Sequence, residues 1–373
     1  MSEVIIKISF LFNYILPNSF YTSLNDLIGF NISIYYINRS IYNIILLFFS
    51  IKILKNNNFK LKKREIILIA FILFRVIVVK DLQSISLLSL IFIDRICFIK
   101  NKENFFIILT ISILFCFLYS IYFYDFNNRP ISTSIGGINQ SGFFIFILYL
   151  FCQKFKFKFL TKLTLIMGTF TFSRNFLLAV FMEKIIEKVK VFQKIICFFK
   201  LNYFFKLSIL TFVLMYSVGF VFEKYVEHFG INEYKAGFAR YTSLADGSNL
   251  YRFKANNNVI KYYRYNSKKL LMGTTLTEFK EELKGNSEKY NIEIKKVRDP
   301  HNFFYKYLLK YGVFSFFLFY YIGKILKKIS NENLGIFYGF YIYSIFLGVG
   351  FYDSYLLMLK FLIFAKRGIK WKN

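Results

Sequence analysis

Long runs of apolar residues, separated by short polar segments rich in Lys and Asn, recur along the whole chain. A helix needs about 20 mostly apolar residues to cross the hydrocarbon core of a bilayer, so each run predicts a membrane-spanning helix. We predict about twelve such helices, several of them short or interrupted. They are expected near residues 4–20, 39–54, 65–79, 84–99, 104–124, 135–152, 159–173, 175–190, 207–222, 303–323, 333–350 and 354–365.

One long segment breaks this pattern. Residues 223–300 mix charged residues with Asn, Tyr and Gly and contain no apolar run long enough to span a bilayer. The predicted fold is therefore all-α and polytopic. Residues 1–222 hold about nine transmembrane helices, residues 223–300 form a large periplasmic loop, and residues 301–373 hold about three helices and a short tail. Within the loop, Glu278–Lys284 has a helical pattern.

The positions of Lys and Arg predict the side on which each loop lies. Basic residues are enriched in short cytoplasmic loops close to span ends. About 25 of the 50 basic residues fall in clusters that are separated by two predicted spans, so these clusters share one side. Both termini are then cytoplasmic, and the long loop is periplasmic because long loops are translocated regardless of their charge. The clusters are Lys52–Arg64, Lys100–Lys102, Lys154–Lys162, Lys184–Lys206, Lys324–Lys328 and Lys366–Lys372.

The composition supports a membrane protein. Of the 373 residues, 56% are hydrophobic and 22% are aromatic, which is more apolar surface than one water-soluble core can bury. The net charge of +29 does not indicate nucleic-acid binding, because the basic residues punctuate apolar runs and form no patch on a polar domain. The hydrophobicity also excludes disorder. The loop contains no cysteine and the chain only 2 histidines, so neither disulfides nor a metal site is predicted there.

Two polar residues at span boundaries are candidates for chemistry. His301 follows Asp299-Pro300 and opens the first span after the loop, and proline is favoured in a first helical turn. A neutral imidazole there is a suitable general base for a hydroxyl group; the alternative is an interfacial polar anchor. Arg174 lies in a periplasmic turn, against the sidedness rule. Either it binds an anion such as phosphate or it is an interfacial arginine with no ligand.

Other polar residues carry weaker signals. Arg129 and Asn139 flank a glycine-rich segment that allows close backbone approach, although an ordinary turn has the same composition. Arg252 and Arg264 lie in the loop among Tyr and Asn, where each alone would be a solvated charge.

Four further charged or titratable residues are predicted to be structural. Asp94 and Arg95 are interpreted as an ion pair within a span or at its cytoplasmic end. Asp353, between the last two spans, could orient His301 or bind a sugar hydroxyl, but it is interpreted as a turn residue. His228 is interpreted as a surface residue.

The order of these motifs resembles the O-antigen ligase/polymerase superfamily of bacterial surface polysaccharide assembly, over roughly residues 125–325. The sharpest match is His301-Asn302, followed by nine residues and then Gly312. The family has a second glycine three residues later, where this chain has Ser315. The Ser173-Arg174 turn resembles the Ser-Arg motif of the family.

Two looser matches complete the resemblance. Asn139, with Arg129 ahead of it, resembles the Asn-containing turn of the family, although Ile138 replaces the usual proline. Arg252 is followed by Gly273–Thr275, which resembles the Gly-x-Gly pattern of the family loop. The second glycine of that pattern is a threonine here, and the preceding proline is missing.

The resemblance implies a metal-independent, inverting glycosyltransferase of the bacterial inner membrane that needs no cofactor. Its donor would be a glycan carried on undecaprenyl diphosphate, and the leaving diphosphate gains negative charge in the transition state. Arg174 and Arg252 would hold the diphosphate, and His301 would deprotonate or orient the acceptor hydroxyl. By the same resemblance, the substrate-binding residues would be Arg129, Asn139, Asn302 and Arg264.

Within this family we favour a polysaccharide (O-antigen) polymerase, which transfers the growing glycan onto another lipid-linked repeat unit. The alternative is an O-antigen ligase, which transfers the glycan to lipid A–core. From another class, a flippase for lipid-linked oligosaccharides remains an alternative, although inverted repeats and a charged central cavity are not evident. The expected partners are the lipid-linked glycan and membrane lipid; the resemblance also allows a chain-length regulator protein, and no nucleic acid is expected.

Overall fold

The computed structural model describes residues 2–15, 34–56, 60–96, 99–100, 103–122, 138–188, 204–229, 247–290, 297, 299–326, 333–347, 353–364 and 366–367. This part of the chain is all-α, apart from the two-residue strands Ile99–Lys100 (β1) and Lys366–Arg367 (β2), which pair in parallel. The all-α prediction is therefore confirmed at the level of fold class.

In the part of the chain that the structure describes, each apolar run that predicted a span contains helix. Before the long polar segment, the helices are α1 Ser2–Phe10, continued by a π-helical turn Leu11–Ile15; α2 Ile34–Asn56; α3 Lys63–Val78; α4 Ser89–Arg95, preceded by the 3-10 helix Leu82–Leu88; α5 Glu103–Tyr122; α6 Ile138–Lys154; α7 Lys158–Thr169; α8 Arg174–Lys188; and α9 Phe204–Phe229. In the polar segment they are α10 Gly247–Tyr265, α11 Ser267–Met272, α12 Leu276–Gly285 and α13 Ser287–Tyr290. The last helices are α14 Phe303–Tyr311, α15 Phe314–Ile325, α16 Leu334–Leu347 and α17 Asp353–Phe364.

By length and composition, one helix in the described ranges is long and apolar enough to cross a membrane. It lies within α9, at Phe204–Val221, with a mean hydropathy of 1.9. Shorter apolar helices are found at Val4–Tyr14, Ile41–Lys52, Phe105–Ile121, Phe314–Ile325, Leu334–Leu347 and Tyr355–Phe364.

Besides the first span, with its π-helical turn, two predicted spans are not single α-helices. The span at 84–99 begins as a 3-10 helix, and the Asp81 carboxylate caps its first turn by accepting hydrogen bonds from Gln83 N (3.1 Å) and Ser84 Oγ (2.6 Å). The span at 303–323 is broken between α14 and α15 at Gly312, whose φ is +58°. The next amide, Val313 N, leaves the helical pattern and donates to Leu270 O at 2.8 Å.

Helices α8 and α16 pack closely through two glycines spaced four residues apart on α16. A Cβ atom on Gly335 would lie 2.6 Å from Glu183 O of α8. One on Gly339 would lie 3.5 Å from Ala179 O of α8 and would also overlap the Phe146 ring of α6. Small residues at this spacing let helix backbones approach, which is a common device in membrane proteins. The pair Gly335 and Gly339 therefore fixes α8, the helix that begins at Arg174.

Asp94 and Arg95 are not paired with each other, which corrects the predicted ion pair. Asp94 Oδ2 accepts from Lys62 Nζ and Arg64 Nη2, each at 2.7 Å, and Arg95 pairs with the buried Glu65. These bonds join the C-terminal end of α4 to the N-terminal end of α3. The prediction failed because the two residues, adjacent in sequence, point to different partners across a helix–helix contact.

The polar segment packs on the apolar helices and shares a core with α14. Buried residues of α10 and α12, including Val259, Tyr262 and Phe279, pack with Tyr305 and Leu309 of α14. Glu278–Lys284 is helical as predicted, within α12.

A second contact between the polar segment and the apolar helices involves a buried arginine. Arg75 on α3 donates to Met272 O at 2.5 Å and pairs with Asp81 at 2.7 Å. Its side chain is fully buried, so the ion pair and the carbonyl replace the lost hydration. The C-terminal end of α11 is thereby held against the end of α3.

The surface of the polar segment carries an ion cluster. Lys269 Nζ bonds to Glu278 Oε1 at 2.7 Å and to Glu282 Oε2 at 2.8 Å. Burial alone would raise the pKa of both carboxyl groups, but the hydrogen bonds and charge of Lys269, together with hydrogen bonds from Thr274 to Glu278 and from Tyr290 to Glu282, lower their pKa values. The cluster joins α11 to α12.

Candidate functional site

A cavity of about 840 Å³ lies among α8, α9, α10, α16 and the segment that precedes α14. One part of its wall is apolar and is formed by residues such as Phe181, Met215 and Phe346. The polar side chains on the wall are Arg174, Asn175, Lys184, Arg252, Asn256 and His301. Residues from widely separated parts of the sequence thus meet at one amphipathic cavity.

Arg174 reaches the cavity because α8 begins at that residue. The turn before it is tight: Phe172 has a φ of +50°, and Thr171 Oγ1 donates to Gly168 O at 2.6 Å. The buried Ser173 precedes the helix, and its carbonyl accepts from Phe176 N at 3.0 Å. The positive end of the α8 dipole adds to the charge of Arg174 at this wall.

Gly142, in the first turns of α6, contacts the same turn. A Cβ atom on Gly142 would lie 2.6 Å from Ser173 Cβ and 3.2 Å from Tyr343 Oη, so only glycine permits this approach of α6. This contact packs α6 against the turn that precedes Arg174. The glycines ahead of α6, Gly136 and Gly137, lie outside the described residues.

Arg252 and Asn256 lie four residues apart on α10 and so share one face of the helix. Arg252 is partly exposed, whereas Asn256 is 2% exposed. Arg252 therefore has access to solvent within the cavity, while Asn256 is held by the surrounding backbone.

His301 enters the cavity from the segment between Pro300 and α14. Its backbone N–H donates to Asn256 Oδ1 at 3.1 Å, and the N–H of Asn302 donates to the same oxygen at 3.2 Å. Asn302 in turn caps α14, because its Oδ1 accepts from Phe304 N at 2.8 Å and from Tyr305 N at 3.3 Å. The capping asparagine and Asn256 together fix the backbone of the histidine.

The charged side chains that line the described part of the cavity are cationic, and one of them, Lys184, also pairs with Glu183 at 3.4 Å. Arg174, Lys184 and Arg252 line the cavity, and within the described residues no Asp or Glu side chain does. The amide Nδ2 of Asn175 is buried at the same wall and has no hydrogen-bond partner among the described residues. An anion with several oxygen atoms matches this set of donors, since guanidinium groups bind phosphate with two parallel hydrogen bonds.

Among the described residues that line the cavity, the imidazole of His301 is the side chain suited to proton transfer at neutral pH. In the part of the chain that the structure describes, no group of three or more His, Cys, Asp or Glu side chains could hold a metal ion. Cys116 and Cys152 are free thiols, both buried within helices and away from the cavity.

The structure brings together the three residues that the sequence analysis predicted as catalytic, Arg174, Arg252 and His301. Two of the predicted substrate-binding residues, Arg264 and Asn302, do not line the described part of the cavity wall. Arg264 is exposed near the far end of α10, and the side chain of Asn302 is fully buried as a helix cap.

The remaining predicted residues have no described side-chain position. Arg129 lies outside the described residues. Asn139 lies in the first turn of α6, and Asp353 is the first residue of α17, but only their backbones are described. His228 has an exposed side chain near the end of α9, as predicted.

Sequence reasoning missed Asn175, Lys184 and Asn256. Asn175 directly follows Arg174 and could have been considered with it. Asn256 belongs to a run of three asparagines on a helix of otherwise mixed composition. The local sequence does not show which of Asn256, Asn257 and Asn258 would contact His301, because the backbone that Asn256 binds lies 45 residues away.

Comparisons with protein-family models, with curated proteins and with solved structures found no match to this chain.

Proposed function

We propose that the protein is a polytopic enzyme of the bacterial inner membrane that polymerises a surface polysaccharide. In this proposal it transfers a growing glycan from undecaprenyl diphosphate onto a lipid-linked repeat unit at the periplasmic face. The observation that carries the proposal is the meeting of Arg174, Arg252 and His301 at one amphipathic cavity. These residues come from three separate parts of the chain, and the resemblance to the O-antigen ligase/polymerase superfamily selected the same three.

The membrane part of the proposal is supported by apolar faces on the outside of the helices. On α5, Ile107, Leu114, Leu118 and Ile121 are each more than half exposed. Similar faces occur on α2, α3 and α9, with Phe48, Ile77 and Val221 among them. Contiguous exposed surface of this kind on several helices is unfavourable in water and expected against lipid.

The charges of the cavity are suited to a diphosphate leaving group. In an inverting transfer, the acceptor oxygen forms a bond to the anomeric carbon while the bond from that carbon to the diphosphate oxygen breaks. Negative charge grows on the diphosphate, and Arg174 and Arg252 are positioned to stabilise it. The proton of the acceptor hydroxyl passes to the imidazole of His301, which later releases it to water.

The apolar part of the wall suits a lipid-linked donor better than a nucleotide-linked one. Leu178 and Phe181 on α8 are partly exposed and continue the cavity away from Arg174. A polyprenyl chain would lie against such residues, with its diphosphate at the cationic end.

A clean deletion of the gene tests the proposed function, with lipopolysaccharide separated on gels as the measurement. Core bearing a single repeat unit is the result we expect for a polymerase. Bare core, with polymer left on the lipid carrier, would identify a ligase instead. Single lipid-linked units retained on the cytoplasmic side would identify a flippase.

Complementation of the deletion strain with variants tests the roles proposed for Arg174 and His301. Arg174→Ala and His301→Ala are expected to abolish polymer formation while the protein still inserts into the membrane. Lys268→Ala is the matched control, because Lys268 is an exposed cation on α11 that does not line the cavity. A normal chain length with either cavity variant would contradict the assigned roles.

A further inference from the structure

Asn256 is the residue of α10 that contacts the backbone of the candidate base. Its Oδ1 accepts two hydrogen bonds, from His301 N at 3.1 Å and from Asn302 N at 3.2 Å. Because both neighbours are N–H donors, the atom between them must be the carbonyl oxygen of the side chain. The side chain is 2% exposed, so water cannot replace it without a change in the packing.

The two amides that Asn256 binds have no helical partner of their own. They precede the first turn of α14, where N–H groups are not satisfied by the helix. Asn302 is fully buried, and a buried N–H without a partner is strongly unfavourable. Asn256 therefore determines the path of the backbone at the residue whose imidazole reaches the cavity.

The same helix carries Arg252, one turn before Asn256. Residues four apart on a helix are separated by about 6 Å along the axis. A second contact holds α10 beside α14 further on: Tyr263 Oη donates to Leu308 O at 2.9 Å and to Leu309 O at 2.8 Å. In both contacts, the residue at α14 lies 45 or 46 residues after its partner on α10. Helices α10 and α14 therefore run side by side in the same direction.

We propose that Asn256 is a positioning residue that sets the place of His301 relative to Arg252 in the transfer reaction. The proposal rests on the proposed function, in which Arg252 holds the diphosphate and His301 accepts the proton. The attacking hydroxyl must meet the anomeric carbon at a defined distance from both groups. A side chain that connects the arginine-bearing helix to the histidine backbone fixes that distance.

The test uses full-length protein in proteoliposomes, supplied with lipid-linked repeat units extracted from the deletion strain. Asn256→Ala is expected to lower the turnover rate about 100-fold, with a much smaller change in the KM for the lipid-linked donor, because displacement of a catalytic group by about 1 Å has an effect of this size. Asn256→Asp keeps an acceptor oxygen and is expected to retain activity within about tenfold of the original protein.

A pH–rate profile separates positioning from mere structural support. A carboxylate at position 256 would lie beside His301 and stabilise its protonated form, so the acidic limb of the profile should move up by about one pH unit. The other charged groups lining the cavity are Arg174 and Lys184 on α8 and Arg252 on α10. Among the described side chains of α9 and α16, none that lines the cavity is charged. Asp299, on the histidine's own segment, pairs with Lys280 at 2.8 Å.

Tyr263→Phe is the matched control, because it removes two hydrogen bonds between the same helices but seven residues further along. It is expected to lower the melting temperature in detergent and to leave the turnover of folded protein and the pH profile unchanged.

Three results would overturn the inference: full activity of Asn256→Ala, an unshifted acidic limb with Asn256→Asp, or equal losses for Asn256→Ala and Tyr263→Phe. If Asn256→Ala and His301→Ala were both fully active, the proposed function itself would fail. If only His301→Ala were inactive, the function would stand without the positioning residue.

Discussion

Two glycines with positive φ face each other where the polar segment meets the apolar helices. Gly273 (φ +75°) follows α11, and Gly312 (φ +58°) follows α14. A Cβ atom on Gly312 would overlap Leu270 O, and one on Gly273 would overlap Lys310 O. Both positions therefore need glycine for two independent reasons, the backbone conformation and the close contact.

Gly312→Ala should lower the stability of the folded protein by at least about 1–3 kcal/mol, because alanine is strained at this φ and its methyl group meets the Leu270 carbonyl. The measurement is the melting temperature of the purified protein in detergent. Gly285→Ala is the control, since no atom lies within 4 Å of its would-be Cβ, and we expect a change within about 0.5 kcal/mol. Equal melting temperatures for the two variants would contradict this account of Gly312.

At the scale of residues, the sequence could identify chemistry but not contacts. His301 and Arg174 could be selected from the sequence because each is a polar or charged residue at a predicted span boundary or turn. Arg252 was selected only by the family resemblance, since a lone arginine in a polar loop is ordinarily a solvated charge. The capping role of Asn302 was not predicted, although an asparagine just before a helix is a common cap. The part played by Asn256 depends on a backbone 45 residues away, and no local pattern encodes it.

At the scale of elements, the helices were predictable because each apolar run is long and bounded by polar or basic residues. The break at Gly312 was not predictable from hydropathy, since apolar residues continue on both sides of it. The packing of α16 on α8 through Gly335 and Gly339 was also not predicted. Two small residues four apart can be recognised in a sequence, but the helix against which they pack is defined only by the fold.

The ion cluster between α11 and α12 makes a prediction about pH. Glu278 and Glu282 have lowered pKa values in the folded protein, so their contribution to stability is fully present above the ordinary carboxyl pKa of 4.5. It is lost as the pH falls through the lowered folded-state values. The protection of residues 267–290 against hydrogen exchange, expressed relative to the intrinsic exchange rate at each pH, should therefore fall below about pH 4.5.

Lys269→Met should make exchange in this segment faster at neutral pH and less dependent on pH, because the cation that lowers both carboxyl pKa values is gone. Lys284→Met is the control, since Lys284 is exposed on α12. Identical pH profiles for the original protein and Lys269→Met would show that the cluster does not couple the two helices.

At the scale of the whole molecule, the proposed orientation places α10–α13 at the periplasmic face and the basic clusters in the cytoplasm. The described structure fits this arrangement, because α3 carries polar clusters at its two ends. Lys62, Glu65 and the end of α4 meet at one end, and Arg75, Asp81 and the end of α11 meet at the other.

Reporter fusions test the orientation. A periplasm-active phosphatase inserted between residues 230 and 246 should be active, and the same reporter after residue 373 should be inactive. A cytoplasmic fluorescent reporter should show the opposite pattern. Activity of the phosphatase at both positions, or at neither, would contradict the proposed topology.

The central claim is that the cationic cavity transfers a glycan from a lipid diphosphate. The most direct test is a reconstitution of the purified protein in proteoliposomes with lipid-linked repeat units from the deletion strain, in the presence of a metal chelator. We predict a ladder of polymer on the lipid carrier and release of one undecaprenyl diphosphate for each unit added, both lost in Arg174→Ala and His301→Ala. The claim would be contradicted if the original protein formed no polymer, or if the two variants formed polymer as fast as the original protein.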